Sequence, residues 1–152
     1  MAREPGTGFT RPAAKDAPNH SAAALARLKG CGLRPTRQRL DLARLLFRDG
    51  DRHVTAESLH DEVSSAGVKV SLATVYNTLH QFTEAGLLRQ VVVDAGRSYF
   101  DTNVDDHQHF FLEEDGQLID IPGEMIEVSN VPVPPEGLVV DRVDVVVRVK
   151  RS

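Results

Sequence analysis

Two histidines one residue apart, His107 and His109 in HQHFFL, have the types and spacing for chemistry. On a strand, residues i and i+2 point to the same face, so both imidazoles can bind one ion. Carboxylates crowd them: Asp101, Asp105, Asp106 and, after the next turn, Asp120. Nitrogen and oxygen donors without thiolate suit iron, manganese or zinc. The acidic surroundings favour a cation and raise histidine pKa values, so affinity is expected to fall in mild acid.

The elements that must position these residues are legible as two lobes. Residues 1–22 hold three of the eight prolines and few large apolar residues, which predicts a disordered arm. Residues 23–100 read as three or four helices followed by a hairpin. A short helix runs from Ala23 to Lys29 and ends at Gly30 or Gly32. Pro35 and Thr36 start a second helix, with Leu42, Leu45 and Leu46 inward and Asp49-Gly50 as its stop. Thr55 caps a third, in which Ser58 stands where Glu or Gln would complete a capping box, so that signal is partial. Leu59 and Val63 form its inward stripe, and Gly67 closes it. Ser71 caps a fourth helix, where Leu72, Val75, Leu79 and Phe82 share one face at a period of 3.6. After Gly86, LLRQVVVDAGRSYFDT reads as two strands turning at Asp94-Ala95-Gly96-Arg97.

That order is the order of a winged helix-turn-helix, a DNA-binding layout. Its fourth helix exposes small and polar residues, Ser71, Ala73, Thr74 and Asn77, that let a helix sit deep in a major groove. Tyr76 lies at the stripe's edge, where it either meets DNA or joins the core. Arg34, Arg37 and Arg39 cluster at the start of the second helix, where arginines either clamp phosphates, enter a minor groove or are merely solvated, and Arg97 occupies the hairpin tip. The bland alternative is a small α+β domain whose helices merely pack.

Residues 101–152 change character. HQHFFLEE and GQLIDIP read as strands paired around Glu114-Asp115-Gly116, EMIEVSN as one helical turn, VPVPPEG as a connector and LVVDRVDVVVRVK as a long strand. The fold class is therefore α+β: a winged-helix domain over 23–100, then a small α/β dimerisation domain over 101–152 that pairs with its own copy.

Composition fits two tasks. The net charge is −4, yet residues 27–100 carry 11 Lys+Arg against 8 Asp+Glu, while residues 101–152 carry 4 against 12. One lobe suits phosphates and the other suits cations. The longest apolar runs are short, so no membrane span is expected. The first 25 residues lack an apolar core, which argues against a secretory signal. A lone cysteine, Cys31, excludes a disulfide framework and a thiolate zinc site. Cytoplasm is the expected compartment.

At LRPTRQR, RHVTAESLH, VSLATVYNTLHQFTEAGL, RSYFDTNVDDHQHFF, GQLIDIP and PPEG…VDVVVR the sequence resembles the ferric uptake regulator family, and in particular its iron response branch. The resemblance covers roughly residues 27–149. It implies a homodimer that binds palindromic AT-rich duplex operators and responds to iron or haem. It also implies a sensory metal site at the hinge between lobes, on His53, Asp101, His107, His109 and Asp120. His53 is an addition; by its surroundings alone it is a loop histidine. His107 and His109 are the candidate axial ligands for haem, and where haem is the signal a haem-delivering protein is a further partner. In that branch, DNA binding belongs to the iron-starved state and is lost when haem arrives.

The chain departs from the family pattern in four places. The paired CxxC zinc motifs are absent, as they are in the iron response branch. A second family metal site retains Asp106, Gln108 and Glu127, but its fourth position falls near Val143, which cannot ligate. HQH stands where the branch has three consecutive histidines, and Gly32 follows Cys31 where some members carry a Cys-Pro haem motif. Aspartates at 101 and 120 also resemble the family's iron-dependent peroxide-sensing repressors, the first alternative reading. A metal-dependent enzyme is a remote third: it needs an open coordination position and a substrate cleft, and no cleft motif lies beside the apolar strand pair.

Overall fold

The computed structural model describes the backbone of residues 13–152 and side chains from residue 21 onward. The fold is α+β. Four helices come first: α1 (Ala13–Gly30), α2 (Arg37–Leu46), α3 (Ala56–Ser65) and α4 (Leu72–Glu84). The strand β1 (His53–Val54) lies between α2 and α3, and β2 (Arg89–Asp94) and β3 (Arg97–Asp101) follow α4. These strands form an antiparallel sheet in the order β1-β3-β2.

α1 begins well before the expected Ala23, so residues 13–22 of the expected disordered arm are helical. The segment is alanine-rich, which favours helix, and Ala24 and Leu28 anchor it in the core. The rest of that arm, residues 1–12, lies outside the described residues. Thr36 caps α2 by accepting from the Arg39 N–H, and Ser71 caps α4 by accepting from Thr74. At α3 the capping box is complete rather than partial. Ser58 Oγ accepts from the Thr55 N–H at 3.0 Å, and Thr55 Oγ1 accepts from the Ser58 N–H at 3.0 Å. A serine hydroxyl can replace the longer acid because it needs only one acceptor at that distance.

Leu42, Leu46, Leu59, Val63, Val75, Leu79, Phe82 and Phe100 bury together between helices and sheet. Leu72, expected on the same stripe, is exposed. It sits with Ser71 and Ala73 in the first turn of α4, which projects beyond the core.

The second lobe is a three-stranded sheet of β4 (His107–Leu112), β5 (Gln117–Pro122) and β6 (Val146–Val149) in the order β5-β4-β6. β5 runs antiparallel and β6 parallel to β4. Among the described residues this lobe has no α-helix; the expected helical turn is a short 3-10 turn over Gly123–Met125. The helical part of the expected α/β lobe is therefore absent there. Pro122, Pro132, Pro134 and Pro135 remove the N–H donors a helix would need. The long strand predicted from Leu138 shrinks to four residues. Ahead of it, the Val145 N–H donates to the Gln108 side chain at 2.6 Å, and Gln108 donates to the Val143 carbonyl, so a side chain takes what a strand would have paired.

The two sheets face each other. Val91 and Val93 of β2, with Tyr99 of β3, pack on Phe111, Leu118 and Val146 of the second sheet. The hairpin is thus the floor of the contact between lobes. No helix among the described residues is long and apolar enough to cross a membrane.

Candidate metal centre

At one end of this sheet-on-sheet contact, residues of both lobes converge. In the first sheet the register sets His53 and Arg89 on either side of Asp101, so all three share a face. In the second, His107 and His109 share a face with Asp120, the cross-strand partner of His109. One ligand atom from each of His53, Asp101, His107, His109 and Asp120 lies within 4.8 Å of every other. All five expected ligands meet in one cluster. Asp105 and Asp106, also near in sequence, are not in it.

Asp101 Oδ2 is the hub. It lies 2.7 Å from His107 Nε2, 2.9 Å from His109 Nε2 and 3.1 Å from His53 Nε2. Asp120 Oδ1 closes the group at 2.8 Å from His53 Nε2 and 3.4–3.5 Å from the other two. Donors bound about 2.0–2.2 Å from a divalent ion stand roughly 2.9–3.4 Å apart around it, and the histidine–carboxylate separations here run from 2.7 to 3.5 Å. Three imidazoles and two carboxylates form a donor set that fits iron, manganese or zinc.

The surroundings prepare the imidazoles. His107 Nδ1 lies 2.6 Å from the Asp105 carbonyl. A carbonyl can only accept, so Nδ1 carries a proton, and Nε2, which lies against Asp101 Oδ2, is the nitrogen left to face a cation. Burial raises the Asp101 pKa, but hydrogen bonds from His109, His53 and the Asn103 N–H outweigh it and hold the carboxyl well below its usual range. Burial pulls His53 down; Asp101 and Asp120 outweigh that and leave it above its ordinary value. His107 and His109 are 4% and 1% exposed, so an ion is shielded here while His53 and Asp120 form the open side.

The residues expected at DNA divide. Ser71, Ala73, Tyr76 and Asn77 are exposed on α4, with Thr74 half-buried. Arg34 joins them, lining an open cleft with Thr74, Asn77 and Gln81. Arg39, at the start of α2, spans that cleft with bonds to Gln81 Oε1 at 3.0 Å and to the Arg34 carbonyl at 2.9 Å. Arg37 turns away, toward Leu25 of α1. Tyr76 lies between core and solvent: its ring is partly exposed, yet its edge meets Phe100 with centroids 6.3 Å apart. Arg97 is engaged within the molecule, with Asp94 at 2.5 Å, Glu113 of the second lobe at 3.4 Å and the Phe111 ring beneath it.

Sequence reasoning missed Arg89, which is 7% exposed beside the cluster, and missed β1, which makes His53 a sheet residue. The only signal for Arg89 was a charge amid the apolar run LLRQVVV, and its partners lie far along the chain.

Known proteins of this shape and sequence were found. The sequence model of the Ferric uptake regulator family matches residues 30–145. The ferric uptake regulation protein of Shigella flexneri is 35% identical over 104 residues, 68% of this chain and 70% of that protein. That of Escherichia coli K12 is 34% identical over the same shares of each. The structure of the ferric uptake regulator from Pseudomonas aeruginosa with manganese superposes with a TM-score of 0.63 at 27% identity, covering 84% of this chain and 97% of that one. The ferric uptake regulator from Francisella tularensis with iron, 19% identical and matched over 79% and 92% of the two chains, shares the fold with a TM-score of 0.63. This chain belongs to the ferric uptake regulator family of metal-responsive transcription regulators.

Proposed function

We propose that the chain is a homodimeric, cytoplasmic regulator of the iron response branch, binding palindromic AT-rich operators according to metal status. One observation carries this reading: ligand atoms from two lobes converge within 4.8 Å, so a shared cation ties the lobes together. When bound, the ion supplies a cross-link between the sheets and no reaction. His53, Asp101, His107, His109 and Asp120 hold it; iron and manganese are the physiological candidates, and zinc fits a purified sample. The Pseudomonas aeruginosa relative with manganese supports the second of these.

The four helices and the β2–β3 hairpin form a winged helix-turn-helix in which α4 enters the major groove. Ser71, Ala73, Thr74, Tyr76 and Asn77 face the bases and nearby phosphates, Arg34 grips the backbone beside them, Arg37 grips it from the α1 side, and Arg97 is the wing-tip contact once freed from Asp94 and Glu113. His53 and Asp101 belong to the sheet that α4 packs on, so a change in ligation tilts α4 relative to the second lobe. Dimerisation is supported by the outer face of the second sheet, where Phe110, Ile119 and Val147 line up across three strands with Phe110 and Ile119 exposed. Haem can reach His107 or His109 only if the sheets part, because both rings are buried.

The test is an anisotropy titration of a palindromic AT-rich duplex and a scrambled duplex, with manganese or with chelator. The reading expects a preference for the palindrome whose strength differs between the two conditions. Equal affinity for both duplexes, or no effect of metal, contradicts it.

A further inference from the structure

The Arg89 guanidinium leaves the first sheet and enters the second lobe. Its Nη1 donates to the His107 carbonyl at 2.8 Å and reaches the Asp105 carbonyl at 3.4 Å. Its Nη2 donates to Asp144 Oδ1 at 2.6 Å. The other Asp144 oxygen accepts from Arg142 Nε at 3.0 Å, and Arg142 Nη2 donates to the Gln90 carbonyl at 2.9 Å, back on β2. The buried Arg89 Nε has no partner among the described residues. A residue chosen only to pack the two sheets would be apolar, as Val91 and Val93 are one and two turns of the pleat further on, because a buried charge rarely stabilises more than a well-packed apolar side chain.

The contacts of Arg89 concentrate on one short piece of chain, residues 105–107. The Asp105 carbonyl is the same atom that receives His107 Nδ1–H and fixes its tautomer. On the other side Gly123 stands so close that a Cβ there would come within 2.6 Å of the Asp106 carbonyl oxygen. The entry to β4 is thus held from two directions, and Arg89 is the one that also stands opposite Asp101.

We propose that Arg89 is a positioning residue for the metal centre: its guanidinium holds the 105–107 backbone so that His107 presents Nε2 to the ion, and Asp144 braces it against the C-terminal segment. This rests on the reading of the five-residue cluster as a cation site.

The test uses the full chain and cobalt(II), whose visible absorption reports ligand geometry. Arg89→Met keeps reach and removes the donors, Arg89→Lys keeps the charge with one donor group, and Val91→Ala loosens the same contact without touching the 105–107 backbone. Arg89→Met is expected to weaken cobalt binding about 10–100-fold, the usual loss for an outer-shell partner, and to shift the visible bands. Arg89→Lys should fall between it and the parent, and Val91→Ala should keep the parent spectrum. Parent affinity and spectrum in Arg89→Met overturn the proposal, as does an equal band shift in Val91→Ala. Should Arg89→Met fail to fold, a parent-like spectrum in Arg89→Lys is the overturning result. If the parent chain itself binds no cobalt, the cation-site reading fails and this inference with it; parent binding with unaltered Arg89 variants removes only the inference.

Discussion

His53 Nε2, carried by the first sheet, lies 2.8 Å from Asp120 Oδ1, carried by the second. The two residues are 67 positions apart in sequence, and their meeting point is the open side of the ligand cluster. An ion placed there is held by both lobes at once.

Replacing His53 by Ala removes the histidine that the first lobe supplies and leaves His107 and His109 in place. Loss of a direct ligand should cost at least the roughly 10–100-fold known for outer-shell partners. Competition titration with manganese reads this, and circular dichroism should show the helices intact. Affinity within a factor of about two of the parent would mean His53 does not ligate.

Acidity should act on the same residue. His53 titrates above its ordinary value of 6.5, so its proton stabilises the metal-free fold fully below that value, and this contribution is lost as pH rises through the folded pKa. Asp101 runs the other way: held below its usual 3.8, it contributes above that value and loses its contribution as pH falls toward the folded pKa. A cation must displace the His53 proton, so manganese affinity should weaken by up to about tenfold per pH unit as pH falls through the His53 pKa, a fall that begins above 6.5. Calorimetric titrations over a pH series check this; a flat profile contradicts it.

Phe111 is wholly buried where Val91, Val93 and Leu118 meet, so it belongs to neither lobe alone. Phe111→Ala should destabilise the chain by about 3–5 kcal/mol. Urea unfolding followed by tryptophan-free probes, such as far-ultraviolet dichroism, should still show one transition at a lower midpoint. An unchanged midpoint would mean the sheets do not pack as described.

Arg34 and Asn77 line the same cleft but should act differently on DNA. Arg34→Ala should weaken all duplexes alike and flatten the salt dependence, as loss of the proposed phosphate contact requires. Asn77→Ala should cost about 1–3 kcal/mol and relax the preference for one base pair. Anisotropy titrations on single-substituted duplexes at two salt concentrations separate the two. The reverse pattern would redraw the groove-facing surface.

Phe110→Glu places a charge on the outer face of the second sheet, opposite Ile119 and Val147. The proposed dimer should then dissociate to monomer in sedimentation velocity while the metal site is kept. A dimer of unchanged stability would move the interface elsewhere.

Much of this was legible in the sequence because it is local. The caps at Thr36, Thr55 and Ser71, and the apolar stripes behind them, are decided within a few residues. The HQH pair needed only the two-residue period of a strand. What escaped depends on distant partners. β1 is two residues long and exists because Val54 pairs with Phe100. The C-terminal strand is short because Gln108, far upstream, intercepts Val145. Leu72 fits the helical period, yet its turn extends past the core it was expected to fill. For Arg97, pattern located the hairpin tip but could not show that Glu113 lies across from it.

The most direct measurement is the number of imidazoles around the ion, read by X-ray absorption at the manganese edge in the loaded chain and in His53→Ala. Three imidazole nitrogens in the parent and two in the variant are predicted. Two in both proteins would show that His53 is not a ligand and would contradict the account.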